Sequence, residues 1–222
     1  MKTDKIRNFI KKASFFDGIF SKNLVLTYGL GITGIVAAVI NVRNAIAISM
    51  AMAFVLIPII VIASLLPKAI PNTLGIALVS AIAMLFIYLS SLVIKAIDIT
   101  AFESLGIYFP LMTVTSASII KSNQHLHSGK PLFALFDGII NSLGYFVAAF
   151  VVGTIREIFS NGTFMGFALP ITFKISALRM TFGGFIVLAF VAAGSRAFGR
   201  AIKGMLYRAD NKLNRNAIQE EK

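Results

Sequence analysis

Twenty-two consecutive residues, 45–66, carry no charged side chain, and a second uncharged stretch of 22, 73–94, ends at Lys95. A helix of that length extends about 33 Å, enough to cross a hydrocarbon core about 30 Å thick. Four weaker stretches follow the same rule: 24–40, 102–120, 132–150 with an extension to 158, and 179–197. The expected architecture is therefore an all-α integral membrane protein with about six transmembrane helices. A transmembrane barrel is excluded, because the apolar runs are too long and do not alternate. Pro58 is expected to kink the second span without ending it, and Pro67 and Pro71 mark a turn around Lys68. The fourth span is the least regular, since Pro110 falls inside it and Thr113, Thr115, Ser116 and Ser118 follow.

The charges confirm this partition. Only 14% of the 222 residues are charged, against about 25% in a soluble domain. The net charge of +12 is carried mainly by the two ends, as membrane-flanking segments require, so nucleic acid is not an expected partner. If the termini and the even-numbered loops share one side, sixteen of the 21 Lys and Arg lie there and five lie opposite. That bias puts both termini in the cytoplasm. The expected domains are a basic amphipathic cytoplasmic segment over 1–22, a six-helix transmembrane domain over 23–199 and a basic cytoplasmic tail over 200–222. The absence of cysteine excludes disulfides, thiolate metal sites and a cysteine nucleophile.

The two halves of the chain echo one another. Thr27-Tyr28-Gly29-Leu30-Gly31-Ile32-Thr33 opens the first, and Tyr108-Phe109-Pro110-Leu111-Met112-Thr113 continuing to Ser116 holds the matching place in the second. Interrupted first and fourth helices in two three-helix halves suggest an inverted repeat with a site near the midplane. The same glycines, with Gly34, also suit close helix packing, and both readings stand. Gly183 and Gly184 in the last span likewise suggest close helix contacts between subunits.

Several strings together resemble a known family. They are Asn23-Leu24-Val25-Leu26 with Leu30-Gly31, Ser104-Leu105-Gly106-Ile107-Tyr108-Phe109-Pro110-Leu111, Leu135-Phe136-Asp137-Gly138 with Leu143-Gly144, and Arg156-Glu157-Ile158 leading to Gly162-Thr163. The chain resembles the small six-helix membrane subunits of the Rnf electron-transport complex and the sodium-translocating NADH:quinone reductase, on the RnfE/NqrD branch. The resemblance implies a bacterial inner-membrane location, a homologous six-helix partner subunit, and flavins carried by other partner subunits. It also implies an iron–sulfur cluster shared by the paired subunits, each giving one cysteine from each interrupted helix. Here Thr33 and Ser116 stand at those positions. Neutral hydroxyls are not thiolate ligands, so no cofactor bound by this chain alone is expected.

Among the remaining polar residues, Asp137 is the ion-path candidate, because a carboxylate inside an apolar span is rare and commonly faces a bundle interior. Equally, it suits a structural carboxylate at a helix break beside Gly138, or one near enough to the interface to be wet. Arg156 and Glu157 read as interface anchors or a subunit salt bridge, and His125 and His127 as solvated loop residues rather than metal ligands. Asn161-Gly162-Thr163 reads as a turn. No phosphate-binding loop, dinucleotide fingerprint or catalytic triad is present. The expected role is a non-catalytic subunit of a redox complex supporting transmembrane electron transfer and coupled ion movement. The alternative is the membrane substrate-binding component of a vitamin or flavin transporter.

Because the chain lacks cysteine, any introduced thiol is unique. Ser21→Cys and Asn211→Cys are expected to react with an impermeant maleimide only from the cytoplasmic face, and Asn161→Cys only from outside. Labelling of Ser21→Cys and Asn161→Cys from the same face would end the six-crossing reading.

Overall fold

The computed structural model describes residues 23–113, 116–170 and 174–220. The basic segment expected over 1–22 lies outside the described residues. Within them the chain forms helices α1 (Ile32–Ala38), α2 (Val42–Leu65), α3 (Asn72–Ile97), α4 (Ile99–Leu105), α5 (Tyr108–Thr113), α6 (Ser116–His125), α7 (Pro131–Asn161) and α8 (Thr181–Glu220). A two-stranded antiparallel hairpin, β1 (Thr163–Phe164) with β2 (Phe167–Ala168), and a 3-10 turn over Ser176–Arg179 join α7 to α8. Among the described residues, four helices are long and apolar enough to cross a membrane: α2, α3, α7 and the Thr181–Ala201 part of α8. The chain is a multi-pass helical membrane protein.

α2 lies at the centre. It runs through Pro58 without ending, and Val55, Leu56, Ile59 and Ile60 are wholly enclosed. Its most extensive partner is α7. The two approach closely because a glycine stands where a side chain would collide: a Cβ on Gly153 would sit 3.1 Å from that of Ala45. α3 and α8 flank this pair and leave broad apolar faces outward, including Leu85, Tyr88 and Leu92 on α3 and Phe182, Phe185 and Phe190 on α8. In water such faces would be untenable, but lipid or partner helices can cover them.

The first and fourth predicted spans are not single helices. Residues 23–31 form irregular turns before the seven-residue α1, and the fourth span is divided among α4, α5 and α6. The fifth span exceeds its predicted length, since α7 has 31 residues.

Arg156 and Glu157 are not interface anchors; both are buried, and they tie the two halves together. The Arg156 guanidinium donates from Nη1 to the carbonyls of Val36 (2.9 Å) and Val39 (2.7 Å) at the end of α1. Nε donates to Leu178 O (2.9 Å), and Nη2 to Arg179 O (3.0 Å) and Met180 O (3.2 Å), just before α8. The five donors of a guanidinium thereby satisfy carbonyls on two segments far apart in sequence. Glu157 caps the start of α2, its Oε2 accepting from Val42 N–H at 2.8 Å. Its other oxygen accepts from Gly166 N–H (3.1 Å) and the Thr163 hydroxyl (3.2 Å), which fixes the hairpin. Gly183 and Gly184 serve this same junction rather than a contact between subunits. A Cβ on Gly184 would meet Val36 O at 2.7 Å, and one on Gly183 would meet Ala177 O at 2.6 Å.

Arg156→Leu leaves five carbonyls without their donor and is expected to destabilise the detergent-solubilised protein by about 3–5 kcal/mol, the scale for breaking a buried charged set. Arg156→Lys keeps the charge but has three donors on one atom, so it should recover only part of the loss. Thermal unfolding measures both. A lysine variant as stable as the parent would contradict the bridging role.

Candidate functional site

The two broken segments meet in the middle of the bundle. Asn23 is buried and organises the first of them: its Oδ1 accepts from Val25 N–H (2.9 Å) and Leu26 N–H (3.1 Å). Its Nδ2 donates to Gly144 O at 2.8 Å, close to the midpoint of α7. Irregular backbone at such a depth survives only where protein surrounds it and its polar groups are satisfied. Leu24, Val25 and Leu26 are buried, and the carbonyls of Asn23, Leu24 and Val25 accept from the N–H groups of Thr27, Leu30 and Gly29, while Tyr28 and Gly29 stay exposed on the single chain. The segment turns into α1 at Gly31, whose φ of 76° is left-handed.

Gly31 also marks the point of contact with the second break. A Cβ on it would lie 3.7 Å from Ala117 Cβ and 3.1 Å from the ring of buried Tyr145. Ala117 is the second residue of α6. The second break lies upstream of it, beginning at Gly106 with φ 47° and ψ −129° and resuming helix at Tyr108. Thr33 and Ser116 thus flank one junction, two residues after Gly31 and one before Ala117. Both are exposed on the surface of the single chain.

A polar stripe descends α6 from that junction. Ser118, Ser122 and His125 are buried, and their spacing puts them on one helix face. Near the junction, Ser80, Ser118 and Ser122 line a small crevice between α2, α3 and α6. At the far end stands Asp137. Its Oδ2 accepts from His125 Nε2 at 2.9 Å and from the Lys121 ammonium at 3.3 Å. The Asp137 side chain is 27% exposed, so the carboxylate stands at the edge of the core with its charge partnered.

The histidines depart from the sequence reading, for neither is simply solvated. His125 is buried against Asp137. His127 folds the α6–α7 loop onto the end of α2: its ring Nδ1 donates to Leu66 O (3.1 Å) and its amide to Ala63 O (3.2 Å). Gly129 N–H adds a bond to Ser64 O at 3.0 Å. These bonds satisfy carbonyls that a helix end leaves without intrahelical partners. No group of three or more metal-ligating side chains forms among the described residues.

A helical membrane protein with two apposed helix breaks is the class this architecture defines. Residues 11–194 match the Rnf-Nqr subunit membrane protein family, and the chain belongs to it, on the RnfE/NqrD branch. Among its relatives is a component of the ion-translocating oxidoreductase complex of Pasteurella multocida (strain Pm70), 33% identical over 68% of each chain. Its counterpart in Glaesserella parasuis serovar 5 is 31% identical over 76% of this chain and 74% of its own. A component of the Na(+)-translocating NADH-quinone reductase of Chlamydia pneumoniae is 30% identical over 71% of this chain and 74% of its own.

Gly31→Ala puts an L side chain in left-handed backbone against Tyr145 and is expected to cost about 1–3 kcal/mol. Gly194→Ala, in α8 with open space around it, should be neutral or gain up to about 1 kcal/mol. Denaturation in micelles compares the two. Equal effects would deny the first break its special geometry.

Proposed function

We propose that this chain is a membrane subunit of an Rnf- or Nqr-type redox complex, supporting electron transfer across the membrane and the ion translocation coupled to it. In this reading it crosses the bacterial inner membrane six times, as two inverted three-helix halves with both termini in the cytoplasm. The four long helices supply four crossings, and the broken segments 23–38 and 99–125 belong to the other two. The apposition of the two breaks at Gly31 and Ala117, with Thr33 and Ser116 on the outer surface, carries the proposal. It gives an inverted repeat its crossing point and leaves half a site open to a partner. Burial of Arg156 supports the orientation, because one of the few basic residues counted outside does not flank the membrane at all. Family membership favours this reading over a vitamin or flavin carrier.

The partners in this reading are a homologous six-helix subunit, seated on the Thr33–Ser116 surface, and subunits bearing flavins. The residues at the junction do not fit a thiolate-held iron–sulfur cluster, since the chain offers hydroxyls there and contains no cysteine. Its contribution is a protein wall: close-packed backbone, the Tyr145 ring and a dry polar seam. Asp137 stands at the inner mouth of the α6 stripe. An ion passing there would have to displace the Lys121 ammonium, so Asp137 serves as a latch between α6 and α7 as well as a candidate ion contact.

A tagged chain extracted gently from its native membrane is expected to bring down a second six-helix protein and proteins fluorescent with covalent flavin. The isolated chain should carry no stoichiometric iron, and Thr33→Ala with Ser116→Ala should leave the complex assembled. A functional monomer, or one held to an ATPase pair, would overturn the proposal. Iron lost from this chain on the double alanine change would refute the assignment of the two hydroxyls.

A further inference from the structure

A second cleft, about 440 Å³, opens between the start of α2 and the end of α3. That size falls within the range of about 300–1,000 Å³ for small-molecule sites. Its wall is apolar, made by Ile46 and Met50 of α2 and Ile94 and Ile97 of α3. Met165, at the tip of the hairpin held by Glu157, borders the same cleft. Two opposite charges stand at the helix ends, Arg43 one residue into α2 and Asp98 one residue past α3. Both helices are of membrane-crossing length, so these ends lie where lipid headgroups lie.

Asp98 is built to remain an anion. Its Oδ1 accepts from the Thr100 hydroxyl (2.6 Å) and from Ala101 N–H (3.0 Å), and these bonds, with Arg43 nearby, hold its carboxyl below the usual range. Arg43 is exposed, and its guanidinium suits the fork of a phosphate. A cation and an anion above an apolar throat complement a head carrying phosphate and ammonium above acyl chains. An anionic headgroup would meet Asp98 with repulsion, and a quinone would leave both charges unmatched.

We propose that this cleft holds one zwitterionic phospholipid with a primary ammonium head, its phosphate on Arg43, its ammonium on Asp98 and one acyl chain along Met50 and Ile97. The site fastens the α2–α3 pair to the outer headgroup layer, on the side opposite the His125–Asp137 latch. It makes no use of Gly31, Thr33, Ser116 or Ala117.

The test is lipid extraction and mass spectrometry on the full chain, purified with whatever partners it retains and exchanged into micelles of phosphatidylethanolamine and phosphatidylglycerol in equal amounts. The parent is expected to keep about one phosphatidylethanolamine per chain, preferred about tenfold over phosphatidylglycerol. Arg43→Gln should lower retention of both about tenfold. Asp98→Asn keeps an oxygen for Thr100 and Ala101 but loses the charge, so it should retain lipid while losing the preference. Met50→Trp fills the throat from an exposed position and should expel the lipid, while the unfolding temperature in lipid-free detergent stays that of the parent. A parent that keeps no specific phospholipid, or a quinone instead, overturns the assignment, as does Arg43→Gln with unchanged lipid content.

Discussion

The rest of the structure depends on one buried cation. Arg156 is 0% exposed, and its five donors face carbonyls at the end of α1 and in the approach to α8. A guanidinium in such surroundings is tolerable only when every N–H is met, because an unsatisfied buried charge is far costlier than a neutral orphan. The carbonyls need it as much. α1 has only seven residues, so its last carbonyls have few intrahelical partners, and Val36 and Val39 are buried. The neighbouring Glu157 does the reciprocal task for the first N–H of α2. Two adjacent residues on α7 thus terminate α1, begin α2 and seat α8.

The opposite end of α2 is closed by the same logic with different residues. The loop carrying His127 and Gly129 donates to the last carbonyls of α2, and His125 and Lys121 meet Asp137 across the α6–α7 turn. α2 is therefore capped at both ends by the second half of the chain. Between those ends the backbone is free to be irregular, because Asn23 and Gly144 satisfy the first break and α7 shields it. The pinned ends explain how a bundle with two interrupted helices keeps those interruptions apposed.

Much of this fold was legible in the sequence. The uncharged runs marked α2 and α3 nearly to their ends, and the glycines and proline of the two echoing strings marked the segments that break. The candidate junction was half legible: Thr33 and Ser116 were singled out by resemblance, but the contact of their neighbours Gly31 and Ala117 beside Tyr145 was not. Arg156 was misread because a charge at the end of an apolar run looks the same whether it faces headgroups or folds inward. Its partners lie as far as 120 residues away, beyond any local pattern. His125 was misread for a milder reason. Its partner is only 12 residues on, across a helix turn, and the pairing of the last turn of one helix with an in-span carboxylate on the next was an available signal.

What the sequence by itself determined is the solvent: runs of more than twenty uncharged residues can rest only in lipid, and in lipid the backbone must pair with itself, so helices follow. It also determined in part where helices weaken, because Gly31 and Gly106 can take the positive φ that turns the chain, whereas Pro58 and Pro110 lie within helices. Only the tertiary structure decided which polar groups meet. A buried donor must find an acceptor whatever its distance along the chain, and that choice is made by packing, as Arg156 found carbonyls and Asp137 found His125. Arg156 and Glu157, which the sequence assigned to the membrane edge, are in the folded chain the joints of its interior.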